Sequence, residues 1–304
     1  MEENRRNFIK KGTAMAAMSV VGLGSVTNSL LDQTSEKNSD KSNNSTPQTT
    51  QKKIEWPIAE SEGMPKLCMV MTASATTEVM RQIKQLGVDY VHMSGPQIPW
   101  KEEALRSIMD RFKAEGLTVI NMMIGGFPNA IYGREGRDGE IEKIKESLRV
   151  AGAVGLPVVE YNFYVDRLME GYYEVKGRGG AGMTGFKAPA DPPAKPDIGT
   201  YSAEKLWDNL TYFLKALIPV AEKSGVRMAL HPNDPPVPVS HGSAQIIATF
   251  KDFKRLISTV DSPSNGMTYD CGVSCEMGED PIEILRFLGS RDRINHLHYR
   301  NVKV

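Results

Sequence analysis

The chain has 304 residues, of which 40% are hydrophobic, and its 37 basic and 37 acidic side chains give a formal net charge of zero. This length can bury a large core, and it fits one large α/β domain better than two small ones once an N-terminal tail is set aside. The neutral charge excludes a strongly basic nucleic-acid binder and favours small-molecule partners. Three cysteines, Cys68, Cys271 and Cys275, are too few and too unevenly placed for a disulfide framework.

The N-terminal residues are typical of an export signal. Two arginines, Arg5-Arg6, precede a mildly apolar run over residues 12–31 that is too short and too weak for a membrane span. This order predicts a twin-arginine signal, with a basic end followed by an ordinary apolar helix as the alternative. Residues 32–64 are mostly polar and are predicted to be a disordered linker. We expect a catalytic domain over 65–304 and a periplasmic or exported location, with anchoring by an uncleaved signal left open.

From residue 65 onward, short apolar runs alternate with longer amphipathic runs. The predicted strands are Leu67–Thr72, Val88–Met93, Leu117–Ile124, Leu156–Phe163, Val226–Leu230, Asn265–Asp270 and Ile294–Tyr299. The predicted helices are Thr76–Leu86, Glu102–Ala114, Gly139–Val154, Ser202–Ser224, Ala244–Val260 and Pro281–Leu288. Glycines that directly follow helices, such as Gly87, Gly116 and Gly225, are typical C-terminal stops. The repeated order of strand, loop and helix predicts a parallel sheet.

A long segment from about Asp166 to Thr200 interrupts this alternation. It is rich in Gly, Pro and charged residues, and a loop of this length is usually a functional lid or a disordered insert. Its glycines do not follow the spacing of a phosphate-binding or dinucleotide-binding loop, so a nucleotide site is not expected here. We interpret the segment as a lid.

The fifth predicted strand ends at His231, in the sequence HPNDPP. Pro232 cannot donate a ladder hydrogen bond and favours extended geometry in the residue before it, so His231 is expected at the carboxyl end of its strand. Asp234 follows in a loop stiffened by two prolines. In a parallel α/β barrel, catalytic side chains lie at this edge. A core histidine that bonds a backbone carbonyl is the alternative.

Three other strand ends carry polar side chains. The sixth strand ends at Asp270, followed by Cys271, and the fourth offers Glu160 or Asn162, depending on which faces inward. In the seventh, His296 and His298 share a face, and His298 is nearer the edge. Two imidazoles and one or two carboxylates at one barrel mouth suit Mn²⁺, Fe²⁺, Co²⁺ or Zn²⁺. Scattered core or surface polar residues are the alternative.

Four longer motifs together resemble the mannonate dehydratase family. They are HPNDPP at 231–236, SPSNGMTYDCG at 262–272, EMGEDPIEILRFLG at 276–289 and RINHLHYRNV at 293–302. The resemblance implies an α/β fold of the (β/α)8 TIM-barrel type, related to xylose isomerase-like enzymes. It also implies metal-dependent dehydration of a sugar acid, D-mannonate to 2-dehydro-3-deoxy-D-gluconate, with Mn²⁺ or Fe²⁺ as cofactor.

Carried over by position, the resemblance makes His231 and His298 metal ligands. Asp270 stands where the family usually has a cysteine ligand, which gives a harder site. Glu160 or Cys271 is a further candidate ligand. The expected substrate-binding residues are Asn162, Asp234, Arg300 and Asn301, with Arg300 suited to carboxylate or hydroxyl oxygens.

The second departure from the family is the end of the sequence at Val304. We expect a barrel that lacks its eighth βα unit, and we expect the general acid and base to lie beyond Val304, so the catalytic residues are left unassigned. The expected partner is a small sugar acid, without nucleic acid and without a membrane span in the mature chain, and a homo-oligomer is left open. An isomerase or epimerase of the xylose isomerase-like group and an inactive sugar-acid-binding remnant are the alternatives.

Overall fold

The computed structural model describes residues 63–304 of the chain. The predicted twin-arginine signal and all but the last two residues of the predicted linker lie outside the described residues. Among residues 63–304, no helix combines the length and the apolar character that a membrane crossing requires.

Seven parallel strands form one sheet, and each strand pairs with the next strand in chain order. The strands are β1 (Cys68–Val70), β2 (Tyr90–Ser94), β3 (Thr118–Met123), β4 (Val158–Tyr161), β5 (Arg227–Leu230), β6 (Asn265–Asp270) and β7 (Ile294–His298). Every one of the seven overlaps a predicted strand, so the predicted parallel sheet is confirmed. Within the described residues, β1 and β7 are the two edges and do not pair with each other. The sheet is nevertheless curled, because the ring of His92 on β2 lies 5.2 Å from the ring of His296 on β7.

Eight α-helices accompany the strands within residues 63–304. They are α1 (Thr77–Gln85), α2 (Glu102–Ala114), α3 (Pro128–Tyr132), α4 (Arg137–Ala153), α5 (Ala203–Lys223), α6 (Phe250–Thr259), α7 (Cys271–Glu276) and α8 (Pro281–Gly289). The predicted cap of α5 is confirmed, because the Ser202 side chain accepts a hydrogen bond from the amide of Lys205. Gly87 and Gly116 adopt the left-handed backbone conformation expected after α1 and α2.

The core lies between the sheet and these helices. Helix α5 contributes a continuous apolar stripe at helical spacing that is fully buried: Leu206, Leu210, Phe213, Leu214, Leu217 and Ile218. Phe213 stacks on Phe127 and contacts the rings of Tyr161 and Phe163 at the end of β4. This packing holds the carboxyl end of β4 in a fixed position.

The segment predicted to be an irregular lid contains regular structure. Tyr172–Lys176 and Gly182–Phe186 form an antiparallel hairpin, joined through a short 3-10 turn at Arg178–Gly180. The alternating pattern of the first strand was obscured by the surrounding glycines and prolines. The hairpin is anchored next to the strand ends, since the Tyr172 hydroxyl lies 3.2 Å from a carboxylate oxygen of Asp234.

The predicted helix Ala244–Val260 was wrong at its start. Helix α6 begins at Phe250, after Thr249 caps it, and residues Ser243–Ala244 instead pair with Val239–Ser240. The cause is Asn233, whose side chain bonds Gln245 and the amide of Ile247. These bonds hold the intervening backbone in a non-helical conformation.

Two short helices were not predicted. Helix α3 begins with Pro128 and ends at Gly133, and α7 begins directly after Asp270. The Asp270 side chain caps α7 by accepting a hydrogen bond from the amide of Val273 at 2.8 Å. Asp270 is therefore fixed from two sides, by its strand and by the helix that follows.

Candidate metal centre

A cavity of about 570 Å³ opens at the carboxyl ends of the strands. Residues of β1, β2, β3, β6 and β7 and of the loops that follow β4, β5 and β7 form its wall. Its polar lining consists of Cys68, His92, Asn162, Tyr164, Arg167, His231, Asp234, Asp270, His298, Tyr299 and Arg300. Parallel α/β sheets bind small ligands at this edge.

His231 and His298 face each other across the cavity. The Nε2 atom of His231 lies 3.1 Å from the Nδ1 atom of His298. The Nδ1 atom of His231 lies 2.7 Å from the carbonyl oxygen of Pro232, and a proton on Nδ1 that is donated to this carbonyl leaves the Nε2 lone pair directed at His298. The proline that ends β5 thus also orients the imidazole.

Asp270 completes a triangle with the two histidines. Its Oδ2 atom lies 3.9 Å from His231 Nε2 and 3.7 Å from His298 Nδ1. Arg300 bonds both oxygens of this carboxylate from Nε at 3.0 Å and so fixes the Asp270 side chain. Arg300 also bonds Glu276 at 2.9 Å and Asp234 at 3.3 Å, so its guanidinium donates hydrogen bonds to three carboxylates.

Glu160 lies on the other side of His298. It is buried, and its carboxylate accepts hydrogen bonds of 2.9 Å from Asn121 and from Thr268. One of its oxygens is 3.7 Å from Nε2 of His298, a buried nitrogen that has no hydrogen-bond partner in the part of the chain that the structure describes. A carboxylate in this position orients an imidazole whose other nitrogen binds a metal, or binds a metal itself.

The protonation states of His231 and Asp270 suit cation binding, whereas His298 must give up a proton that its carboxylate neighbours favour. Burial and the neighbouring His298 lower the pKa of His231, which favours its neutral form. Burial also acts to lower the pKa of His298, but Asp270 and Glu160 outweigh it and the pKa is raised. Burial acts to raise the pKa of Asp270, yet His298, the Val273 amide and Arg300 bring it down to about 2. The unprotonated imidazole and the ionised carboxylate are the forms that bind metals.

The spacing of these donors fits a divalent ion. First-row metals bind nitrogen and oxygen ligands at about 2.0–2.2 Å, so two ligands of one ion lie at most about 4.4 Å apart. The three separations among His231 Nε2, His298 Nδ1 and Asp270 Oδ2 are 3.1, 3.7 and 3.9 Å. Donor atoms of Glu160, His231 and His298 also lie within 4.8 Å of one another. A set of two imidazoles with carboxylates is typical of Mn²⁺, Fe²⁺ and Zn²⁺ sites.

The other residues predicted from the sequence occupy different positions. Asn162, Asp234 and Arg300 line the same cavity as the two histidines. Cys271 lies outside the donor group, because its thiol is 2.9 Å from the carbonyl oxygen of Arg300 and 3.5 Å from that of His298. Asn301 is exposed and is not among the residues that line the cavity.

Several site residues were missed in the sequence. His92 and Cys68 lie on β2 and β1, and their inward position follows only from the curl of the sheet. Arg167 lines the cavity from the segment predicted to be a lid, where its Nε donates to the backbone oxygen of Asp234 at 2.5 Å. Glu276 was part of a quoted motif, but its ion pair with Arg300 depends on the unpredicted helix α7.

The sequence is similar to one known family, both over its C-terminal third and over a longer span. The family model of D-mannonate dehydratase (UxuA) matches residues 197–304, which include β5, β6 and β7. A mannonate dehydratase of Thermotoga petrophila is 30% identical over 267 residues, covering 75% of this chain and 74% of the relative. The chain belongs to the mannonate dehydratase family. This membership confirms the resemblance of the sequence motifs.

Mannonate dehydratases of Streptococcus suis are also similar to this chain. The mannonate dehydratase of Streptococcus suis strain 05ZYH33 is 34% identical over 197 residues, and the chain spans 54% of that relative's length. The crystal structure of mannonate dehydratase from Streptococcus suis serotype 2 superposes with a TM-score of 0.71 at 28% identity, covering 78% of this chain and 73% of that one. The predicted fold class, a xylose isomerase-like α/β barrel, is confirmed by this family structure.

A more distant similarity concerns the fold alone. D-psicose 3-epimerase from Clostridium cellulolyticum H10 superposes with a TM-score of 0.54 at 12% identity, covering 77% of this chain and 72% of that enzyme. The likeness shows that the two chains share a fold. It carries no information on the reaction.

Proposed function

We propose that this chain is a metal-dependent hydro-lyase that converts D-mannonate to 2-dehydro-3-deoxy-D-gluconate and water. Its membership of the mannonate dehydratase family supports the reaction class. The observation that carries the proposal is the triangle of His231, His298 and Asp270, whose donor atoms lie 3.1–3.9 Å apart in one open cavity. Three donor atoms at this spacing can bind a divalent ion in the same cavity that a sugar acid can enter.

The metal is expected to be Mn²⁺ or Fe²⁺, held by His231, Asp270 and His298. When bound, such an ion polarises the substrate carboxylate and an adjacent hydroxyl and stabilises the charge that develops when the C2 proton leaves. The aspartate in place of a thiolate makes the donor set harder, which favours Mn²⁺ and Fe²⁺ over softer ions.

The surrounding side chains prepare this site. Arg300 bonds the Asp270 carboxylate, and we assign it the positioning of that ligand because its guanidinium already bonds three carboxylates. Arg167 lines the cavity and its side chain is 40% exposed, so it is the second guanidinium within reach of an anionic substrate. Asn162 lines the same wall and can orient hydroxyl groups of the sugar chain.

A product assay with a matched variant tests the proposal. Purified chain with Mn²⁺ is incubated with D-mannonate, and the 2-keto-3-deoxy acid is detected with thiobarbiturate. We expect product with the natural sequence, formed slowly because solvent must stand in for an acid and a base that are expected beyond Val304. We expect at least a 100-fold lower rate with His231→Ala and an unchanged rate with His241→Asn. His241 lies outside the cavity and has a positive φ of 50°, which asparagine tolerates.

The other outcomes separate the alternatives. Formation of an isomeric sugar acid without the keto-deoxy product would show that the protein is an isomerase or epimerase and not a dehydratase. A rise in the protein's Tm on adding mannonate, without turnover, would indicate a sugar-acid-binding protein. Equal rates for His231→Ala and the natural sequence would contradict the assigned centre.

We also propose export through the twin-arginine pathway, on the basis of Arg5 and Arg6 followed by the apolar run. A reporter fused behind residues 1–64 should reach the periplasm. The double variant Arg5→Lys, Arg6→Lys should remain inside the cell. Equal export of both fusions, or of neither, would contradict the assignment.

A further inference from the structure

A second group of donors lies beside the first. It consists of the Cys68 thiol on β1, the His92 imidazole on β2 and the His296 imidazole on β7. One donor atom from each lies within 4.8 Å of the other two. None of the three belongs to the set His231, Asp270 and His298, so one side chain need not serve both groups.

The three side chains are held toward the interior of the curled sheet. His92 is aligned with Val70 in the pairing of β1 with β2, and its ring lies 5.2 Å from the ring of His296. His296 shares its strand face with His298, whose ring is 5.1 Å away. Cys68 and His92 line the same cavity as His231.

His296 lacks the partner that a buried imidazole requires. The residue is only 9% exposed, and its Nε2 atom is buried with no hydrogen-bond partner among the described residues. Buried polar atoms of folded proteins are nearly always satisfied, and one without a partner calls for a ligand. A metal ion bound to Nε2 would supply that partner.

From this geometry we infer that Cys68, His92 and His296 form a second metal site, with a preference for Zn²⁺. A thiolate with two imidazoles is softer than two imidazoles with a carboxylate, so the two groups differ in the ions that they favour. A tetrahedral zinc ion places its nitrogen and sulfur ligands about 3.3–3.8 Å apart. Because the three donor atoms already lie within 4.8 Å of one another, they need to approach by at most about 1.5 Å, which is within the range of side-chain rotation. The thiol of Cys68 releases its proton to solvent when the ion binds.

The second site has a structural consequence. Cys68 and His92 come from the β1 edge of the sheet, and His296 comes from the β7 edge, which does not pair with β1 in the described residues. An ion bound by all three would join the two edges. Zinc at about 100 times its dissociation constant should then raise Tm by roughly 5–10 °C for a domain of this size.

Cobalt spectroscopy tests the inference without any activity assay. The full chain is freed of metal with a chelator and titrated with Co²⁺, which gives a near-ultraviolet thiolate-to-cobalt absorption only when sulfur is a ligand. We expect the band in the natural sequence and in Cys275→Ser, and its displacement by Zn²⁺. We expect its loss in Cys68→Ser and in His92→Ala.

The inference does not depend on the proposed dehydratase activity, and one variant keeps the two apart. His231→Ala should lose the first site and the activity but keep the cobalt band and the zinc-induced rise in Tm. No band in the natural sequence, a band that persists in Cys68→Ser, or loss of the band in His231→Ala would overturn the second site. Circular dichroism of each variant verifies that it is folded.

Discussion

Gly272 on α7 offers a sharp test of how Arg300 is held against Asp270. A Cβ atom at position 272 would lie 2.6 Å from Cγ and 2.8 Å from Nε of Arg300. These atoms are in the middle of the side chain, so Gly272→Ala must displace the guanidinium from Asp270. The substitution therefore disturbs the site without changing any residue that lines the cavity.

Two effects of opposite sign decide the size of the change. Hydrogen bonds to charged groups contribute about 1.5–3 kcal/mol, but exposed ion pairs contribute only about 0–1 kcal/mol. Asp270 is buried while Arg300 is 36% exposed, so we expect a loss of about 2 kcal/mol. Alanine is favoured over glycine in a helix by up to about 1 kcal/mol. The net destabilisation is about 1 kcal/mol, or a Tm lower by about 2–4 °C.

A double-mutant cycle with Arg300→Ala isolates the clash. With the Arg300 side chain absent, the added methyl group meets none of the atoms that obstruct it, and Gly272→Ala should be neutral or slightly stabilising. The expected coupling is about 2 kcal/mol, measured by urea denaturation at constant m-value. Additive effects of the two substitutions would refute the assigned contact between Gly272 and Arg300.

Three further predictions concern stability and metal content. Gly152→Ala should destabilise the chain by several kcal/mol, because its Cβ would lie 2.2 Å from the carbonyl oxygen of Ser224. Gly139→Ala in the same helix meets nothing within 4 Å and should be neutral or stabilising, so equal unfolding midpoints of the two variants would contradict the contact at Gly152. The pKa of Asp270 is lowered from 3.8 to about 2, so in metal-free protein its contribution to stability is present above pH 4 and is lost as the pH falls toward 2. The difference in unfolding free energy between the natural sequence and Asp270→Asn should shrink across that window, and a constant difference would contradict the lowered pKa. Chelation followed by Mn²⁺ at about 100 times its dissociation constant should raise the free energy of unfolding by about 2.7 kcal/mol, and His231→Ala should show no such gain.

Much of the fold could be predicted because each strand and helix has its own local signal. Glu102–Ala114 and Asn265–Asp270 were predicted to the residue, since glycine or a polar residue marks their ends. The start of α6 could not be predicted, because it depends on the side chain of Asn233, which is distant in the sequence. Local patterns cannot include a competing hydrogen bond of that kind.

The candidate metal centre could be predicted only in part from the sequence. His231, Asp270 and His298 each end a strand, and parallel strands bring their carboxyl ends to one edge. Glu160 was ambiguous with Asn162, and the structure places the Glu160 carboxylate in the interior and Asn162 on the cavity wall. Contacts between the two edges of the sheet could not be predicted, because they depend on how strongly the sheet curls.

Anomalous diffraction from crystals soaked in Mn²⁺ tests the central claim most directly. Data collected on both sides of the manganese absorption edge locate the ion without reference to activity. We predict a peak at about 2.0–2.3 Å from His231 Nε2, His298 Nδ1 and an oxygen of Asp270. A cavity without a peak at full manganese occupancy elsewhere, or a peak that none of these three side chains contacts, would contradict the metal centre.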